Sequence, residues 1–204
     1  MNRILVLLLS MVVFTSGAYS RTLVGFGFQG TGAQVNFTGP LKDIYGQGFG
    51  GGAHLDIGFA PSIGLRLVGD YIVFSPDNGK YKDMIVHETP GTVASDYSID
   101  GGQINFLTAS LNLKVGLPSP VFSPYLTGGA GSTTVTSSDT KISYRSGSSQ
   151  SFPGASAETK FSANAGGGID LKVGVTIYVE ARYTWIFTEG ETSTFIPVSI
   201  GITF

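Results

Sequence analysis

Residues 175–187 read Val-Thr-Ile-Tyr-Val-Glu-Ala-Arg-Tyr-Thr-Trp-Ile-Phe, and this stretch decides the fold class. Its apolar side chains recur at every second position, which is the period of a β-strand and not that of a helix. The apolar face ends in three aromatic residues, Tyr183, Trp185 and Phe187. A band of aliphatic side chains closed by aromatic ones is typical of a strand that crosses a bilayer and ends at its interface. An aromatic cluster in a soluble core is the alternative explanation.

The same period of two returns in residues 49–59 and 63–73, which flank the tight turn Ala60-Pro61-Ser62. In both strands one face is apolar, and the other mixes glycine with charged residues. This alternation also fits a soluble β-sandwich, so it does not settle the class by itself.

Composition separates the two classes. The chain has 30 Gly and only 13% charged residues, whereas soluble domains average about 25% charged residues and about 7% Gly. A chain this poor in charge needs an apolar environment for much of its surface. Beyond residue 20 no apolar run approaches the roughly 20 residues of a membrane helix. A lipid-facing protein without spanning helices must be a closed barrel, because only closure leaves no unpaired backbone in hydrocarbon.

The amino terminus has the layout of a secretory signal. A short polar start with Arg3 precedes the apolar run 4–14, and small residues stand at positions 18 and 20. The run is shorter than the roughly 20 residues of a spanning helix, although a membrane-anchored amino terminus is the alternative. We therefore predict a signal peptide at 1–20 and one barrel domain at 21–204.

Charge and motifs exclude several functions. The net charge is −2, and −3 once Arg3 is removed with the signal, so no basic surface would attract nucleic acid. Without cysteine the chain has neither disulfides nor Cys-ligated metal sites. Residues 25–30 match G-x-G-x-x-G, but alternating Gly and Phe indicate a strand with inward glycines and not a nucleotide loop. We expect no cofactor and no metal.

We predict eight strands, and the connections between them alternate between short and long. The strands are 22–37, 47–59, 63–75, 101–117, 121–135, 158–172, 175–188 and 194–204. The short connections are 60–62, 118–120 and 173–174, and the longer ones are 38–46, 76–100, 136–157 and 189–193. Outer-membrane barrels have tight periplasmic turns and longer outer loops. The fold class is therefore an up-and-down antiparallel eight-stranded transmembrane β-barrel with both termini periplasmic.

Four places resist a regular pattern. The apolar parity changes at Phe106, which predicts a bulge or an inward phenylalanine. Pro197 cannot donate to a ladder, so we expect it at the outer rim, unless the last strand starts later than residue 194. The triplet Gly30-Thr31-Gly32 is expected to interrupt the first strand. Residues 132–151 are rich in Ser, Thr and Gly, which predicts a mobile outer loop.

The carboxyl end resembles a known family. Residues 196–204 alternate apolar residues and finish on Phe204, and residues 124–131 (PYLTGGAG) and 178–183 (YVEARY) add to the likeness. Together they resemble the OmpA/OmpX-like "outer membrane protein beta-barrel" domain. The resemblance implies a place in the bacterial outer membrane, surrounded by its lipid. It also implies that the barrel-assembly machinery recognises the terminal strand, with Phe204 as its signal. Members of this group are structural, adhesive or stress-linked surface proteins.

The inward charges are balanced. The inner face holds Arg66, Lys114, Lys172 and Arg182 against Asp56, Asp70, Asp170 and Glu180. A selective pore would carry an excess of one sign along its lining. The interior of an eight-stranded barrel is just filled by side chains, so we expect internal ion pairs that plug the lumen.

Turn length and parity predict two registers. The turn at 60–62 places Asp56 directly across from Arg66 on the inner face. The turn at 173–174 likewise puts glycines opposite charged residues of the next strand, Gly168 opposite Glu180 and Gly166 opposite Arg182.

The leading interpretation is a non-enzymatic surface protein of structural or adhesive type that acts through its loops, with a host or surface ligand as a candidate partner. A lipid-modifying or proteolytic barrel enzyme is the second interpretation, because His54 lies near Asp56 on one strand. His87 also lies in a loop with Asp83, Glu88 and Asp96. A narrow diffusion channel is the third, and a lipocalin-like soluble carrier, with its apolar face inside, is the fourth.

Overall fold

The computed structural model describes residues 23–36, 44–80, 97–145, 147–188 and 192–204. The predicted signal peptide at 1–20 lies outside these ranges. So do His87 and its neighbouring carboxylates Asp83, Glu88 and Asp96. No helix in the described ranges has the length and apolar character needed to cross a membrane.

Eight antiparallel strands close into a barrel, in which each strand pairs with the next along the chain and the last pairs with the first. They are β1 (Leu23–Asn36), β2 (Tyr45–Ala60), β3 (Ile63–Pro76), β5 (Ile104–Gly116), β6 (Phe122–Ser137), β9 (Glu158–Val173), β10 (Val175–Phe187) and β11 (Thr192–Thr203). Three further strands, β4 (Tyr97–Gly101), β7 (Thr140–Tyr144) and β8 (Ser149–Phe152), form a separate sheet. The predicted fold class is confirmed, and each predicted barrel strand agrees with the structure to within three residues at either end.

The apolar faces of the barrel strands point outward. Phe49 is 70% exposed and Leu126 is 72% exposed, while the alternate positions of the same strands turn into the lumen. In β10 the exposed residues Val179 and Ala181 flank the buried Glu180. This direction suits a wall in contact with lipid. It is opposite to the direction that a soluble carrier requires.

Three of the positions predicted to be irregular lie within barrel strands. Phe106 is buried and points inward, and the ladders of β5 run through it without a bulge. β1 is not interrupted at 30–32, since Gly30 pairs with both Gly51 and Ile200. The expectation for Pro197 was wrong, because it lies midway along β11 opposite Ala33. The ladder to β10 skips this position, where proline offers no N–H.

The expectation of a mobile loop at 132–151 was also wrong. β6 continues to Ser137, and β7 and β8 then form a hairpin that pairs with β4; we call these three strands the outer sheet. Its ladder keeps the register of the β5–β6 hairpin, since Gly101 pairs with Thr140 just beyond the pair of Ile104 and Ser137. The outer sheet is therefore a continuation of that hairpin beyond the barrel.

A kink separates the outer sheet from the barrel. Gly101 and Gly102 have φ angles of 85° and 72°, which side chains with a Cβ rarely adopt. The ladder survives the bend, because Gly102 N–H donates to Asp139 O at 3.1 Å and Ser138 N–H donates to Gln103 O at 2.9 Å. The hydroxyl of Tyr45 donates to the Gly102 carbonyl and ties the kink to β2.

An apolar cluster lies inside the barrel at the end that carries the long loops. Three phenylalanine rings form its centre, with centroids 4.9 Å apart for Phe74 and Phe106 and 5.3 Å apart for Phe106 and Phe195. We call it the apolar plug, and its buried members are Ala33, Ile44, Tyr45, Ile72, Phe74, Ile104, Phe106, Ile186 and Phe195. The sequence interpretation anticipated charges inside the barrel but not this layer.

Candidate functional site: the lumen

Arg66 occupies the centre of the lumen and is only 1% exposed. Its Nε and Nη2 donate to the two carboxylate oxygens of Asp56 at 2.6 and 2.7 Å, which is a bidentate ion pair. Its Nη1 lies 3.4 Å from Glu180 Oε2, and its guanidinium stacks 4.4 Å above the Tyr178 ring. The predicted register of β2 and β3 is confirmed, since Asp56 pairs directly with Arg66.

Arg182 extends this pair into a chain across the barrel. Its Nη2 donates to Asp70 at 2.9 Å, and its Nε lies 3.1 Å from Glu180 Oε1. The hydroxyl of Tyr125 donates to Glu180 Oε2 at 2.9 Å. We call Asp56, Arg66, Glu180, Arg182 and Asp70 the lumen network. The register predicted for β9 and β10 is confirmed as well, and it leaves only glycine opposite Glu180 and Arg182.

Neutral groups continue the network toward β1 and β11. Gln29 donates from Nε2 to Asp70 at 2.6 Å, so its Oε1 is the acceptor for the Tyr178 hydroxyl at 2.6 Å and for His54 Nδ1 at 2.8 Å. This assignment places the proton of His54 on Nδ1 and leaves Nε2 to accept from the Thr203 hydroxyl at 2.9 Å. The carboxylate next to His54 along the strand, Asp56, bonds instead to Arg66.

The end of the lumen near the short turns opens into a cavity of about 450 Å³. Its floor includes Lys114 and Asp170, whose Nζ and carboxylate oxygens are 2.8 and 2.9 Å apart. Lys114 also lies 3.9 Å from the centroid of the Tyr125 ring. Lys172 is not brought to this pair, since it is exposed at the strand end and donates to the Ser119 carbonyl. The inner ion pairs therefore use three of the four basic residues predicted for the lining.

Glycine makes room for the large side chains of the lumen. A Cβ at Gly27 would lie 2.5 Å from the His54 ring, and one at Gly201 would lie 2.6 Å from the Tyr178 ring. In each case the glycine is the direct cross-strand partner of the residue whose side chain covers it. Among the described residues there are six such pairs: Gly27 with His54, Gly48 with Phe74, Gly52 with Asp70, Gly129 with Asn112, Gly168 with Tyr125 and Gly201 with Tyr178.

Phe204 lies outside the lumen, at the seam that closes the barrel. It exchanges backbone hydrogen bonds with Phe26 at 2.8 and 3.3 Å, and the two rings stack with centroids 5.5 Å apart. Its side chain is exposed on the lipid-facing wall. Among the described residues, no group of three or more His, Asp or Glu side chains is placed to hold a metal ion.

The sequence interpretation missed the polar residues that connect the charges. Gln29 and Tyr125 bond to carboxylates of the lumen, and Tyr178 bonds to Gln29 while its ring lies against the Arg66 guanidinium. The signal was present for Gln29 and Tyr178, because each has the parity of an inward position on a strand whose other face is apolar. For Tyr125 the neighbouring run of glycines hid the parity.

This architecture is shared with known proteins. A family model described as "Outer membrane protein beta-barrel domain" matches residues 5–204. A comparison with curated protein sequences found no match. Among solved structures, Neisserial surface protein A (NspA) aligns with a TM-score of 0.54 and 12% identity, covering 88% of this chain and 95% of that one.

Two further solved structures align over similar lengths. A major outer membrane protein from Thermus thermophilus has a TM-score of 0.49 and 14% identity, covering 89% of this chain and 99% of that one. The N-terminal β-barrel domain of Pseudomonas aeruginosa OprF has a TM-score of 0.47 and 12% identity, covering 90% and 100%. The likeness to NspA shows a shared fold, and the family match spans nearly the whole sequence. The chain belongs to the outer membrane protein beta-barrel domain family and is an integral protein of the bacterial outer membrane.

Proposed function

We propose that the protein is a non-enzymatic surface protein whose lumen is closed and whose outer sheet binds a partner outside the cell. The observation that carries this proposal is the division of the molecule into a filled barrel and a structured sheet beyond it. The barrel anchors the chain in outer-membrane lipid. The outer sheet presents most of its residues to solvent, including all of β8.

Two layers support a closed lumen. The lumen network joins side chains from β2, β3 and β10 across the barrel. The apolar plug fills the end toward the loops, where Phe74 is 0% exposed. The inner ion pairs join three basic residues to four acidic ones, so the lining lacks the strong excess of one sign that a selective pore carries. A diffusion channel needs both layers to be displaced.

Purified, folded protein in planar bilayers is therefore expected to show no steady conductance. The physical reason is that ions would have to cross a paired charge layer and then a dry aromatic layer. A general porin in the same bilayers is the positive control. Reproducible ion-selective openings from a folded sample would favour the channel and contradict the closed lumen.

The adhesive role is assigned to the outer sheet because it is polar on one face and apolar on the other. The face with Ile142 also carries Tyr144 and Phe152, which are 40% and 45% exposed. The opposite face presents Lys141 and Ser151. Half-exposed aromatic side chains beside polar ones are typical of surfaces that bind other molecules.

Cells that express a variant with residues 141–151 replaced by a two-residue Asn-Gly turn are expected to lose adhesion. The replacement removes the exposed strands while the barrel registers are kept. Binding of the cells to serum-protein-coated and glycan-coated beads is the measurement. The control is Pro118→Ala in a turn at the opposite end of the barrel. Equal adhesion by the two variants would contradict the role of the outer sheet.

The surroundings of His54 do not favour the enzyme interpretation. A hydrolase needs a nucleophile, a base and a group that stabilises the protonated base. His54 does contact the Thr203 hydroxyl, but its ring is oriented by the neutral amide of Gln29. A neutral amide does not stabilise an imidazolium as a carboxylate does. This setting supports a structural role for the contact between His54 and Thr203.

Export and assembly complete the proposal. Residues 1–20 act as a signal peptide, and the barrel-assembly machinery recognises the last strand through Phe204. Replacing Phe204 with Ser is expected to lower the yield of folded barrel in the outer membrane several-fold. The inserted barrel should lose little stability, because the side chain faces lipid. Heat-modifiable mobility of outer-membrane fractions measures the yield, with Phe122→Ser as a lipid-facing control. An unchanged yield counts against the assembly signal.

A further inference from the structure

The edge of β8 is open to another strand. Among the described residues β8 pairs with β7 alone, and all four of its residues are exposed. Edge strands of soluble proteins are usually protected by charge, proline or a bulge. The four residues Ser149–Phe152 contain none of these protections, and a proline, Pro153, follows only where the strand ends.

The hydrogen bonds of the hairpin show which groups the edge offers. Tyr144 N–H donates to the Ser148 carbonyl at 2.8 Å, so Ser148 and Tyr144 form a hydrogen-bonded pair. Bonded and non-bonded pairs alternate along an antiparallel ladder. Gln150 therefore bonds toward β7, whereas Ser149 and Ser151 direct their N–H and C=O groups away from it.

We propose that this edge pairs with the same edge of a second copy of the chain, antiparallel and about a twofold axis. The proposal rests on the adhesive role of the outer sheet and names its partner. With Ser149 opposite Ser151 of the second copy, the two strands exchange four backbone hydrogen bonds. Gln150 then lies across from Gln150 of the second copy, and each side-chain amide supplies both a donor and an acceptor.

Charge at the two ends of the hairpin favours the antiparallel direction. Arg145 lies at the exposed tip, and within the described residues it forms no ion pair. Asp139 lies at the base, where it accepts a hydrogen bond from Gly154 N–H at 2.8 Å. Antiparallel pairing brings each tip to the base of the other copy, so opposite charges approach. Parallel pairing would bring the two Arg145 tips together.

The exposed aromatic residues fit the same register. Phe152 then faces Ser148 of the second copy and lies in one row with that copy's Tyr144. The two aromatic side chains would close over the small serine between them. Pairing therefore buries apolar surface that the single chain leaves half-exposed.

The proposal places the second copy in another membrane, with the tip of each outer sheet pointing away from its own membrane. The sheet continues the β5–β6 ladder away from the barrel. With strands that run away from the membrane, two copies in one membrane would have parallel β8 strands. An antiparallel pair leaves the barrels at opposite ends of a six-stranded sheet, so it joins two facing membranes.

The test uses two populations of lipid vesicles with different fluorophores, each reconstituted with the full chain or left bare. Wild-type vesicles are expected to cluster with wild-type vesicles and not with bare ones. Ser151→Pro should reduce clustering at least tenfold, because proline removes an edge N–H without removing a bond to β7. Ser151→Thr keeps that N–H and should cluster like wild type. Heat-modifiable mobility checks that every variant is folded.

Clustering with bare vesicles would indicate lipid binding and overturn the proposal. Undiminished clustering of vesicles that carry folded Ser151→Pro would also overturn it. Wild-type vesicles that fail to cluster but bind serum-protein-coated or glycan-coated beads would overturn the second-copy partner and keep the adhesive role. Failure in both assays would overturn the two together.

Discussion

Replacement of Arg66 with methionine is expected to lower the free energy of unfolding of the barrel by about 3–5 kcal/mol. The guanidinium is fully buried and forms ion pairs with both Asp56 and Glu180. Removing it leaves Asp56 without its cation in the lumen and takes from Glu180 the second of its two cations, because Arg182 remains 3.1 Å away. Methionine has a similar length and fills much of the space, so the loss reports the charges more than a cavity.

Urea-induced unfolding of the protein in lipid vesicles, followed by tryptophan fluorescence of Trp185, measures this change. The control is Lys141→Met on the exposed outer sheet, which removes the same charge from solvent and should cost less than about 0.5 kcal/mol. The double variant Arg66→Met with Asp56→Asn should recover part of the loss. A loss below about 1 kcal/mol for Arg66→Met would show that water already screens the pair.

The period of two and the turn lengths predicted most of the barrel. They placed Asp56 opposite Arg66 because a strand with one lipid face has a single register that keeps charge out of hydrocarbon. The same rule correctly predicted which side chains of β10 point outward between Val175 and Phe187. Where one face must meet lipid, the local sequence carries the information.

Prediction failed where lipid no longer imposes that rule. Above the membrane, residues 140–152 are Ser- and Thr-rich, and their strands form by pairing with distant Tyr97–Gly101. Composition alone does not reveal such a long-range partner. Inside the barrel, Ile72 and Phe74 follow Arg66 and Asp70 on the inward face. Their apolar character breaks the polar-inside pattern, and only closure of the barrel shows that Phe106 and Phe195 meet them.

The lumen also explains why the chain needs so much glycine. At six positions among the described residues a large inward side chain lies across a glycine of the neighbouring strand, so that position has no space for a Cβ. The lumen network and the apolar plug use the same device, although one layer is charged and the other is aromatic. These six glycines are therefore required by the large side chains inside the barrel and not by flexible loops.

Replacement of Phe74 with alanine is expected to cost about 3–5 kcal/mol, because the ring is fully buried and its removal leaves a cavity in the apolar plug. Gly48→Ala should also destabilise the barrel, since its Cβ would lie 2.6 Å from the Phe74 ring. In the Phe74→Ala background the same methyl group enters the cavity, so Gly48→Ala should become neutral or stabilising. Urea unfolding in vesicles measures this double-mutant cycle. Gly30→Ala is the control, because a Cβ there meets nothing within 4 Å. Equal costs of Gly48→Ala in both backgrounds would show that glycine at this position does not serve the ring.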